Sequence, residues 1–247
     1  MIKFFRNIRK QLHGEGKNRK YFKYAIGEIL LVVIGILIAL QINNWSESKK
    51  DQTFQLKMLT EIQYALETDI EYFKSMAKRL HKLDSASTHF IKLVHKKSVF
   101  IDSLYKKGFS RWYYLRTGIN YQYNRGPYDA LKTSGLDKVS NDRLRINLVD
   151  YFDFRLSRFE GLVNHSDRQY NEDVAVLESF LGEPFTELVN NEVKIYSKFP
   201  KNLLLNVTFL ELLRNINTRA KITGRYINGQ LESMKNLNKQ LKFEIDK

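Results

Sequence analysis

The chain has 247 residues, 43% of them hydrophobic and 28% charged, with a formal net charge of +14. That length buries a sizeable core, and that composition excludes both a disordered chain and a multi-pass transporter. Cysteine is absent, which excludes disulfides, thiolate metal sites and cysteine nucleophiles; with 3 prolines and 12 glycines, helix breakers are scarce and long helices are expected.

The charge is uneven. Residues 1–24 carry eight bases (Lys3, Arg6, Arg9, Lys10, Lys17, Arg19, Lys20, Lys23) against Glu15, a local charge of +7. Residues 25–45 carry only Glu28, and residues 46–247 carry 33 bases and 25 acids. The densest basic cluster therefore flanks an apolar run. A nucleic-acid reading would place it on the folded domain instead.

That run, Ile29 to Leu40, has no polar side chain, and extending it from Ala25 to Ile42 admits only Glu28 and Gln41. As a helix it is roughly 27 Å long, close to a bilayer core of ~30 Å. Tyr21, Phe22 and Tyr24 stand at one end and Trp45 at the other, where interfacial aromatics belong. Bases precede the run far more densely than they follow it, so the positive-inside rule puts the N-terminus in the cytoplasm and residues 46–247 outside. Two other readings compete: a cleaved signal peptide, which lacks a small-x-small site in Ala39-Leu40-Gln41-Ile42, and a buried core helix, which needs no basic flank. Glu28 reads as an interfacial anchor, or as a polar contact within a helix pair. Gly27 and the Gly35-x-x-x-Ala39 spacing would allow close backbone approach in such a pair.

Tyr24 to Trp45 (YAIGEILLVVIGILIALQINNW), after a basic MIKFFRNIRK opening, resembles the shared N-terminus of a family of uncharacterised single-pass membrane proteins from Bacteroidota. Gly126–Phe152 resembles that family's internal motif. The resemblance implies topology and domain type. It brings no catalytic residues, because the family has no established function.

After Trp45 the chain turns polar without a breaker. Leu59, Ile62, Leu66, Ile70 or Asp69, Phe73, Met76, Leu80 and Leu83 then recur at spacings of three and four, an amphipathic helix of near-heptad rhythm. Asp84-Ser85 is expected to end it and to cap a second helix through Phe90, Val94, Phe100 and Leu104, stopping by Gly108. Residues 108–126 lose periodicity and concentrate aromatics. Pro127 and Gly135 bracket a short helix. Ser140 or Asn141 caps a long helix through Leu148, Phe152, Phe159 and Val163 to Phe180, with Gly182 and Pro184 marking its end. Phe185–Tyr196 is expected to be a shorter helix. Pro200 and Asn202 break the chain before a final helix from about Leu204 to Ile245.

The expected fold is all-α: an N-terminal transmembrane helix followed by an antiparallel bundle of long helices. Its parts are a basic cytoplasmic arm (1–24), the membrane helix (25–45) and an extracytoplasmic helical-bundle domain (46–247). Two stacked sub-bundles divided near Gly126 or Gly182 are the alternative. No second span and no output domain are expected.

Motifs for chemistry are missing. The histidines His13, His81, His89, His95 and His165 form neither H-E-x-x-H nor Glu-x-x-His pairs, and there is no G-x-S-x-G, P-loop or G-x-G-x-x-G. No cofactor or metal is expected, and the further alternative, a cryptic enzyme, would need a cleft lined by two buried carboxylates or a strongly perturbed pKa pair. The distinctive segment is aromatic: Trp112, Tyr113, Tyr114, Tyr121, Tyr123 and Tyr128 interleave with Arg111, Arg116 and Arg125. Structurally these rings close the end of a bundle; functionally they are the residue types of binding hot spots. The reading is a single-pass inner-membrane accessory, scaffold or sensor-like module. Its expected partners are the bilayer, an envelope protein or ligand, and a second copy paired through the membrane helix and the first bundle helix. Nucleic acid is not expected. The alternative is a cytoplasm-facing basic adaptor that binds anionic lipid or nucleic acid.

Overall fold

The computed structural model describes residues 18–96, 111–180, 184–197, 199–200 and 202–247. Most of the basic arm, the second half of the expected second helix and Gly182 lie outside those residues. The chain divides into two compact units, Met1–Gln55 and Leu56–Lys247.

The first unit is described by the N-terminal part of α1 (Asn18–His95). This helix is long and apolar enough to cross a membrane, and none of its most apolar window is covered by protein. Ile29, Leu37 and Ile42 are all more than half exposed. At the end of the run the Lys49 ammonium lies 4.3 Å from the centroid of the Trp45 ring. A Cβ built at Gly27 or Gly35 meets nothing within 4 Å, and Ala39 is exposed, so this face carries no packing of its own.

In the second unit the expected stripe is the core face of α1. Leu59, Ile62, Leu66, Phe73, Met76, Leu80 and Leu83 are all buried. The stripe that also resembled a dimer seam is thus covered by the chain's own helices. Asp84-Ser85 does not end the helix. No glycine or proline follows, and buried Ala86, Ser87 and Phe90 extend the stripe. Ser87 satisfies its hydroxyl by donating back to the Leu83 carbonyl at 2.9 Å, which a helix interior tolerates.

The middle of the unit follows its sequence punctuation. Helix α2 (Gly126–Ser134) has Pro127 in its first turn, and Gly135 at its end takes φ +110°, where a side chain would be strained. Asn141 caps α3 (Asp142–Val149), its side chain accepting from the Leu144 amide at 3.1 Å. A π-helical turn (Asp150–Arg155) joins α3 to α4 (Leu156–Ser179).

Phe185–Tyr196 is not a helix. It forms an antiparallel hairpin of β1 (Pro184–Val189) and β2 (Glu192–Ser197), with Val189 paired to Glu192. Asn190 and Asn191 adopt φ of 54° and 63°, the left-handed pair that a tight two-residue hairpin turn requires. Asn206 then caps α5 (Val207–Ile245), accepting from the Phe209 amide at 3.1 Å.

Cross-helix bonds give the helix directions. From Asn141 to Ser166, partners on α5 descend: Glu244, Gln240, Gln230 and Thr223 for Asn141, Asn147, Tyr151 and Ser166. Partners of α1 descend likewise, Asn238 for Glu67 and Asn217 for Asp84. Helix α5 is therefore antiparallel to both α1 and α4. Helices α1 and α4 run parallel, with the Phe73 and Phe159 ring centroids 5.7 Å apart. The all-α fold read from the sequence is observed, a long apolar N-terminal helix followed by further helices, with α5 antiparallel to α1 and α4 and the hairpin as the one described β element.

Candidate functional site

The aromatic segment divides into three environments. Trp112 is 1% exposed, with its ring centroid 4.6 Å from Phe199 and 5.9 Å from Phe90. Tyr128 is fully buried and stacks on Phe152 at 4.4 Å. Both rings plug the core and leave no surface for a partner. Truncating a ring packed in this way costs about 3–5 kcal/mol.

Arg116 and Arg125 are held by carboxylates. Arg125 reaches Asp129 at 2.8 Å and Asp153 at 2.6 Å, and its Nη1 donates to the Phe152 carbonyl. Tyr128 Oη and Lys132 Nζ donate to the other oxygen of Asp153 at 2.9 and 2.8 Å. Asp153, on the π turn, is thus the hub that ties α2 to the α3–α4 helix. Burial alone raises its pKa. Hydrogen bonds from Lys132 and Tyr128, with the charges of Lys132 and Arg125, outweigh that and hold it below the usual carboxylate range. Arg116 pairs with Glu178 at 2.7 Å, and Lys82 sits over the ring of Tyr114 at 5.1 Å. Arg111 and Tyr113 are exposed.

Tyr121 and Tyr123 have a different setting. They belong to an irregular strap, residues 117–125, that crosses between α1 and α4. With Asp69 and Tyr72 from α1, Asn124 from the strap and Glu160 from α4, they line an open cleft of about 520 Å³. Asp69 is buried and its Oδ2 accepts from the Asn124 amide at 2.9 Å. Desolvation pushes its pKa up against the lowering effect of that bond. Tyr123 donates to Glu160 at 3.2 Å, and Tyr72 donates to the Asn120 carbonyl. The Tyr121 hydroxyl is shielded from solvent without a hydrogen-bond partner among the described residues. Burial, and then the neighbouring Tyr123, Tyr151, Glu160 and Asp69, raise its pKa. Its ring packs 5.7 Å from Phe73 and 5.2 Å from Phe159, which fixes it on the core.

The sequence singled out Tyr121 and Tyr123 but gave Asp69 only as a polar residue on an apolar stripe, and missed Tyr72, Asn124 and Glu160. Glu160 follows Phe159 on an amphipathic helix, and nothing local distinguishes it from a solvated carboxylate. Among the described residues, no group of three or more His, Asp or Glu side chains is placed to hold a metal.

A groove of similar volume, about 510 Å³, lies between α4 and α5 and has the opposite character. Phe154, Leu162 and Tyr226 line it beside Arg155, Arg158 and Arg225. Arg155 pairs with Asp150 at 2.6 Å, while Arg158 and Arg225 make no ion pair among the described residues.

These features define an all-α protein with a helix able to span a membrane and a bundle bearing an acidic, tyrosine-lined cleft. The chain belongs to a family of unknown function, DUF6090, which matches residues 28–215 and so takes in every cleft residue named above. No curated protein and no solved structure matches it.

Proposed function

We propose that this protein is a single-pass membrane-anchored binding module. Its N-terminus lies in the cytoplasm and its helical domain lies in the cell envelope, as an accessory or sensor-like component without catalytic activity of its own. The observation that carries this reading is the bare apolar surface of α1. The window is wholly uncovered, whereas the apolar stripes of α1 beyond Leu56, α4 and α5 are buried in one core. A water-soluble protein would leave hundreds of Å² of aliphatic surface exposed there, which lipid covers at no such cost.

The charge asymmetry favours the orientation. Dispersal of bases in the second unit speaks against a nucleic-acid face: Arg116, Arg125, Arg155 and Arg219 each pair with a carboxylate on the bundle. The test is a pair of reporters fused after Lys247, one active only in the cytoplasm and one only outside it. Activity of the external reporter alone is expected. Activity of the cytoplasmic reporter alone would reverse the orientation and move the basic-adaptor reading to first place.

A further inference from the structure

We propose that the cleft between α1, the 117–125 strap and α4 binds an organic ammonium ion. The cation is seated between Asp69 and Glu160 and against the rings of Tyr121 and Tyr123. This names the ligand class of the binding module proposed above and rests on that reading.

Charge decides the class. Among the described residues no lysine or arginine lines this cleft, while two carboxylates do. The nearest base of the segment, Arg125, touches Tyr123 at the rim, but its charge is neutralised by Asp129 and Asp153. An anion would meet two carboxylates and, among the described residues, no base whose charge is not already matched by another carboxylate, so the free tyrosine hydroxyl does not make this a phosphate or carboxylate site. Shape then separates organic from inorganic cations. Two carboxylates around about 520 Å³ leave a metal ion short of ligands and surrounded by empty space. An alkylammonium group fills more of that volume and also gains from the π faces of tyrosines, which attract a cation within about 6 Å.

The bonding pattern fits the same occupant. Asp69 has one oxygen committed to the Asn124 amide, and Glu160 has one committed to the Tyr123 hydroxyl. Each carboxylate keeps acceptor capacity for N–H donors or for the positive rim of a quaternary ammonium. The hydrogen bond from Tyr123 holds Glu160 on the wall, and ring packing on Phe73 and Phe159 holds Tyr121 there. The site is therefore positioned before a ligand arrives.

The test uses the full chain in uncharged detergent micelles and equilibrium dialysis of two probes, choline and putrescine, with 3,3-dimethylbutan-1-ol as the neutral isostere of choline. Saturable binding of a cationic probe is expected, with the isostere weaker by roughly ten-fold or more. Glu160→Gln and Asp69→Asn should each weaken the cation by a similar factor, and Arg158→Ala, in the other groove, should not. The proposal is overturned if neither cation binds up to about 10 mM, if the isostere binds equally well, or if both carboxylate variants bind like the parent while melting at the same temperature. An inverted topology with cation binding intact would overturn the orientation and leave the ligand class standing. External topology without binding would do the reverse.

Discussion

Two aspartates set opposite pH responses. Asp69 is pushed above the usual carboxylate range by burial, which its bond to the Asn124 amide only partly offsets. The folded state therefore holds the Asp69 proton more tightly than the unfolded chain, whose value lies near ~3.9. Its contribution to stability falls as pH rises from about 4 through the folded value, and above that value the ionised side chain is a net cost. Asp69→Asn keeps an acceptor for the Asn124 amide without the charge. It is expected to match or exceed the parent in urea unfolding at pH 7, even as its cation binding weakens. A clear destabilisation would mean that the carboxylate holds the strap in place. Asp153 has the other sign. Its contacts with Lys132, Tyr128 and Arg125 depress its folded pKa, so its stabilisation is fully present above about pH 4 and is lost as pH falls through the folded value. Asp153→Asn is expected to cost about 1–3 kcal/mol at pH 7. That difference should shrink as pH falls below about 4 and through the folded value, where the parent loses its own carboxylate. An unchanged gap across the range would count against a charged hub.

At the scale of elements, the π turn is the informative one. Inserting one residue into a helical turn bulges the helix without rotating its downstream part, so deleting that residue should restore a regular α-helix with both flanks in phase. Phe154 is the residue to remove, because it is exposed. Its deletion is expected to leave thermal unfolding nearly unchanged. Deleting Asn164 within α4 should turn the downstream face by about 100° and strip Tyr170 and Leu177 from the core. Equal damage from both deletions would show that the turn is a structural necessity. The buried residues Leu148, Tyr151, Phe152 and Leu156 carry this bulge in their spacing, which an even helical period hides. The stripe from Leu59 to Leu83, the Pro127–Gly135 bracket and the Asn141 cap were legible because each is a local pattern with a local cause. The hairpin was misread because its two short segments fit either period. Its signal was the Asn190-Asn191 pair between β-branched and aromatic residues. Asp84-Ser85 misled in the other direction, since residues that cap helices also sit inside them when no breaker follows. The cleft was half legible: Tyr121 and Tyr123 stood out by composition. Asp69 and Glu160 face one space only because α1 and α4 lie side by side, and one sequence does not state that adjacency.

On the scale of the whole molecule, the two units call for different solvents. Residues 56–247 carry their own core, from Leu59 on α1 to Leu241 on α5, and expressed alone they are expected to fold and remain in the soluble fraction. The full chain should need detergent, and a segment ending at Gln55 should pellet with membranes. A fragment that aggregates would mean that the domain is unstable without the residues before it. The order of the helices also matters in time. The Asp84–Asn217 and Glu67–Asn238 bonds close loops of 133 and 171 positions, and the helix that covers α1 is the last one described. At a synthesis rate of ~15 residues per second, about 10 s separate the emergence of the α1 stripe from that of its cover. Through that interval the part of the stripe that α5 covers stays bare. Its biogenesis therefore depends on whatever shields that helix until the final one arrives, and a stop codon early in α5 leaves a chain that never acquires its cover.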